Sequence, residues 1–68
     1  MTCHVEFDRE EDGRWIATVP ELPGVSCYGA TRAEALASVE ALALRVIADR
    51  IEHGEAPAGS LTFIAAAA

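Results

Sequence analysis

The stretch Asp12-Gly13-Arg14-Trp15-Ile16-Ala17-Thr18-Val19-Pro20-Glu21-Leu22-Pro23-Gly24-Val25 decides the fold. Asp-Gly after the charged segment Arg9-Glu10-Glu11 is a hairpin signal, because glycine supplies the positive φ that a tight reversal needs. Residues 14–19 then alternate. Trp15, Ala17 and Val19 share one face and Arg14, Ile16 and Thr18 the other, which is the period of a half-buried strand. Pro20 and Pro23-Gly24 end it. Proline fixes φ and removes a ladder donor, so two prolines and a glycine predict a rigid turn.

The hairpin needs a strand on its N-terminal side, and residues 2–8 supply it. Cys3, Val5 and Phe7 point one way and Thr2, His4, Glu6 and Asp8 the other. On the C-terminal side, residues 25–28 read as a short third strand that leaves through Gly29-Ala30. Thr31-Arg32-Ala33-Glu34 has the form of a capping box. A helix is predicted from there to about His53, uninterrupted by Gly or Pro, with Gly54 as its left-handed cap. A loop over 55–59 and a last strand over 60–65 follow, and the terminal alanines are expected to fray. The order is β-β-β-α-β. Three strands run up, down, up, and the helix brings the last strand back parallel to the first through a right-handed crossover. The expected fold is a single α+β domain over residues 1–68, a four-stranded sheet with one helix on one face.

On a wheel at 100° per residue, Leu36, Val39, Ala43, Val46, Ile47 and Ile51 form the stripe expected to face the sheet. Leu42 and Ala35 widen it on one flank and Leu44 on the other. That arc is wider than one sheet face needs, and the helix is longer than its strands. Both features fit a second burial surface; exposed small residues on an Ala-rich helix are the plainer reading. Homo-oligomerisation, most simply a dimer, is expected, with Leu42, Leu44 and Val46 on the helix and Ile16 and Tyr28 on the sheet's other face as interface residues. A domain of 68 residues has a thin core, for which self-association is a common remedy.

Eleven acids against five arginines give a formal charge of −6. The arginines are scattered, where a nucleic-acid surface needs clustered positive charge, so direct nucleic-acid binding by this chain is not expected. An acidic surface steers a basic protein partner, or simply maintains solubility. The N-terminus is too polar for a signal peptide, and no apolar run approaches the roughly 20 residues of a membrane span. A cytoplasmic location with reduced thiols is the expectation.

No catalytic constellation emerges, and neither metal nor cofactor is expected. Cys3, His4, Cys27 and His53 make a poor zinc set, since Cys3 and His4 are neighbours on a strand and point to opposite faces. Asp8, Glu10 and Asp12 echo a calcium loop, but Val19 occupies the place of its bidentate Glu. Cys27 has no His beside it.

Two motifs carry a family resemblance. One is Asp12-Gly13-Arg14-Trp15-Ile16-Ala17 through Pro20, Leu22, Pro23 and Gly24; the other is Gly29-Ala30-Thr31-Arg32-Ala33-Glu34-Ala35-Leu36. Together they resemble the HicB-like antitoxin family over residues 5 to about 52. Asp12 and Gly13 match its hairpin turn, Pro20, Pro23 and Gly24 its strand exit, and Thr31 and Glu34 its helix start. The resemblance implies a partial ribonuclease-H-like fold. It also implies a partner, a small basic RNA-cleaving toxin of the HicA type, neutralised by protein–protein contact. Glu10 and Glu11 are expected to meet that partner. Many members add a C-terminal DNA-binding domain; the single-domain form without it is the expectation here. The last strand, Leu61-Thr62-Phe63-Ile64, lacks the carboxylate that ribonuclease H chemistry would use, so a binding module and not an enzyme is expected. The alternative is a stand-alone, self-assembling HicB-like domain with an unknown partner.

Overall fold

Strand β1 spans Thr2–Arg9, β2 Trp15–Thr18, β3 Ser26–Gly29, helix α1 Arg32–Glu52 and β4 Thr62–Ala65. This computed structural model describes residues 1–55 and 59–66. Residues 56–58 of the loop predicted over 55–59 and the alanines at 67–68 lie outside the described residues. The sheet order is β3-β2-β1-β4, with β1 and β4 parallel and the other pairs antiparallel. The β-β-β-α-β order read from the sequence is therefore the order of the fold. Strands two and four are each shorter than expected, and strand three is displaced by one residue toward the helix.

The β1–β2 hairpin closes on Glu10 and Arg14, whose backbone N–H and carbonyl meet at 2.8 Å. Three residues form its loop, and Gly13 takes the positive φ of 91°. Asp12 completes the reversal, accepting from the Arg14 amide at 3.0 Å and from Arg14 Nε at 2.7 Å.

Beyond β2 the chain makes two consecutive turns. The Leu22 amide donates to the Val19 carbonyl and the Val25 amide to the Leu22 carbonyl. Pro23 followed by Gly24 at φ 83° suits a type II turn. These turns fold Leu22 inward until it is fully buried, among the largest such side chains. Read along the chain, Leu22 belongs to a loop; in the fold it is part of the core.

Thr31 caps α1 as predicted, its hydroxyl accepting from the Glu34 amide at 3.1 Å. The Glu34 carboxylate reaches back one residue further than a capping box requires, to the Ala30 amide at 3.0 Å. At the other end the Gly54 amide donates to Ile51 and the Glu55 amide to Arg50. With Gly54 at φ 72°, this is a Schellman ending.

The helix lies over β3 and β2. It buries Ala35, Val39, Ala43 and Ile47 against Cys3, Val5, Ala17, Val19, Leu22 and Val25. Ala35 is central, not a flank, because Gly29 of β3 lets the backbones approach. Ile51, expected in the core, is 40% exposed. A 21-residue helix is about 31 Å long, while β2 and β3 have four residues each. The last turn therefore projects past the sheet, and the long axis reaches 40 Å.

Candidate interaction surfaces

The expected interface residues fall on three separate surfaces. The first is the hairpin tip. Glu11 and Asp12 are exposed there and Glu10 is half-buried. Asp12 is committed to Arg14. The Arg14 amide and then its guanidinium hold the Asp12 carboxyl below the usual carboxylate range. Glu10 and Glu11 form no ion pair among the described residues.

The second surface is the sheet face opposite the helix. Cross-strand register places Tyr28 beside Ile16 and Ile16 beside Asp8. Arg14 lies over the Tyr28 ring, 4.5 Å from its centroid. Asp12, Arg14 and Tyr28 thus make a continuous run from the tip onto the face. Tyr28 remains half exposed and Ile16 half-buried. Thr18 and Ser26 share a hydrogen bond at 3.0 Å below them.

His4 and Glu21 form a clasp on this same side that the sequence reading missed. Register would set Pro20 opposite His4, but β2 has already ended at Thr18. The His4 amide donates instead to the Glu21 carboxylate at 2.9 Å, and His4 Nδ1 donates to its second oxygen at 2.5 Å. The His4 side chain, then its amide, pulls the Glu21 carboxyl below its usual range. The available clue was Pro20, which marks the point where β1 loses its strand partner.

The third surface is α1, where the expected residues divide. Leu42 and Val46 pack against the core and are half-buried, whereas Leu44 is 48% exposed. On the helical wheel Leu42 and Val46 lie near Ala35, while Leu44 is turned roughly 160–200° away from them. They cannot belong to one patch, and only Leu44 is free to meet a partner.

Cys3 and Cys27 are free thiols, with Cys3 fully buried. Burial, and secondarily the Glu21 carboxylate, push the Cys3 thiol up and away from reactivity. Among the described residues no group of three His, Cys, Asp or Glu side chains is placed to hold a metal ion. No helix among them is long and apolar enough to cross a membrane. The chain matches no family model, no curated protein and no solved structure.

Proposed function

We propose that this domain binds a small basic RNA-cleaving protein and blocks its access to RNA, acting by contact and not by catalysis. The observation that carries this reading is the junction of an acidic tip with an aromatic anchor. Glu10 and Glu11 stand beside a face bearing Tyr28 and Ile16, joined to it through Arg14. A ribonuclease surface must be basic to hold phosphates. Rim charges of opposite sign accelerate the encounter, while a buried aromatic group slows release. The resemblance to HicB-like antitoxins points to the same class of partner.

The test is co-expression with the product of a neighbouring small, basic reading frame. Rescue of growth from that product, and loss of rescue on Tyr28→Ala, supports the proposal. A toxic neighbour that this chain does not neutralise refutes it. The alternative, a stand-alone self-assembling domain, draws on the exposed apolar flank of α1.

A further inference from the structure

The two edges of the sheet differ. β3 lies under α1, whose backbone at Ala35 sits against Gly29. β4 is the other edge, which α1 does not cover. In β4 the even residues face β1: the Thr62 amide donates to the Met1 carbonyl at 2.9 Å and the Ala66 amide to the Val5 carbonyl at 3.0 Å. Phe63 and Ala65 therefore turn their amides and carbonyls to the open side, and no hydrogen bond among the described residues engages them. Exposed edges are ordinarily guarded by charge, proline or a bulge. The stretch Leu61-Thr62-Phe63-Ile64-Ala65-Ala66 has neither charge nor proline, and its pairing with β1 is regular from Thr62 to Ala65. Ile64 stands 48% exposed on the outer face, while Phe63 is half-buried on the inner one.

We infer that β4 pairs with β4 of a second copy, antiparallel about a two-fold axis at Ile64, so that the two sheets join into one. This gives the self-assembly reading a surface of its own and does not depend on the toxin contact. Three observations select a second copy. The first is the backbone. The open groups of β4 lie on either side of Ile64. The two-fold sets Phe63 opposite the other copy's Ala65, and the reverse. Each pairing closes a reciprocal set of N–H···O=C bonds, and both edges are satisfied at once. The second is the side chains. On the inner face, a row across the seam reads Cys3 and Phe63, then the other copy's Ala65 and Val5. It is apolar throughout and sets a large residue beside a small one. On the outer face Ile64 meets the other copy's Ile64, with a His4 behind each. The third is charge. Residues 61–66 bear none, so this edge offers nothing to a basic protein. Glu6 of β1 shares a row with Ala66, which continues to the other copy's Thr62 and Thr2, so no two acids meet. Because β4 runs parallel to β1, the antiparallel pair carries the two acidic hairpin tips to opposite ends. A net charge of −6 per copy is thereby kept apart. A seam of one short strand is small, which makes the association weak and reversible.

Sedimentation equilibrium and NMR on the isolated chain decide the matter. The weight-average mass should approach twice 7.2 kDa at about 1 mM and return to that of one chain on dilution to about 10 μM. Over the same dilution the amide resonances of Phe63 and Ala65 should move, and those of Ser26 and Tyr28 on the other edge should not. Ile64→Lys makes the chain less acidic, yet it sets two like charges against each other across the seam. It should weaken association by about tenfold or more with unchanged far-UV circular dichroism. Leu44→Lys, on the exposed flank of α1, adds the same charge and should leave association intact. The dilution shifts are read on the wild type, so they decide the matter even if Ile64→Lys fails to fold. A chain that stays monomeric at about 1 mM overturns the inference. So does a dimer whose moving resonances lie on α1 or β3, or one that Leu44→Lys dissociates and Ile64→Lys does not. No basic partner is present in these measurements, so their failure leaves the proposed toxin contact untouched.

Discussion

Gly29→Ala is the sharpest test of how the helix is seated. A methyl carbon built on Gly29 lies 2.4 Å from the Ala35 amide nitrogen, 2.9 Å from Ala35 Cα and 2.9 Å from the Glu34 carbonyl carbon. Comfortable separations are near 3.5 Å, so the first turn of α1 must lift by about 1 Å. Backbone atoms cannot rotate aside as a flexible side chain could. The same turn holds the Thr31 and Glu34 caps, which lifting would strain. Overpacking costs about 1–3 kcal/mol, and the stiffer unfolded chain returns less than about 1 kcal/mol. A net loss of about 2 kcal/mol is expected. A domain of 68 residues commands only about 3–10 kcal/mol in total. At 4–8 °C per kcal/mol, Tm should fall by about 8–16 °C. Thermal and urea unfolding followed by circular dichroism measure it directly. Ala35→Gly in the same chain should not restore stability, because the clash is with the Ala35 backbone and not its methyl. A Tm within about 2 °C of wild type, or full rescue by Ala35→Gly, would refute the close approach.

Other expectations follow from the same contacts. Leu22→Ala should cost about 2–5 kcal/mol despite its place in a turn, read as a lower urea midpoint; a cost typical of surface loops would contradict its burial. Thr31→Ala should lose about 1 kcal/mol, measured by the same unfolding curves. The Glu21 carboxyl is held below its ordinary value of 4.5 in the folded chain. Its contribution is therefore complete above the unfolded value and disappears as pH falls through the lower folded one. Glu21→Gln should flatten the acid limb of the stability–pH curve below about pH 5; an unchanged limb would show that the clasp with His4 does not form. If the proposed basic partner binds at the hairpin, reversing Glu10 and Glu11 to Lys should slow association and weaken its salt dependence. Stopped-flow mixing at two ionic strengths would show an unchanged rate if the tip plays no part.

Local chemistry along the chain was sufficient to determine the element order of this protein. Period-two runs, Asp12-Gly13, Pro20, Pro23-Gly24, Thr31 and Gly54 act within a few residues of themselves, so their consequences are legible without a fold. The side of the sheet on which Ile16 and Tyr28 stand follows from alternation alone. Tertiary structure decided what depends on meeting a distant residue. Leu22 becomes core only because two turns carry it under the helix. His4 and Glu21 meet because β2 ends before β1 does. Ala35 is central because Gly29 has no side chain to hold it off. Ile51 is apolar and in phase with the core stripe, yet it stands in solvent because the strands below it are too short to reach it. Periodicity specifies a direction around the helix; whether anything lies in that direction is set by the lengths and placement of the elements packed against it.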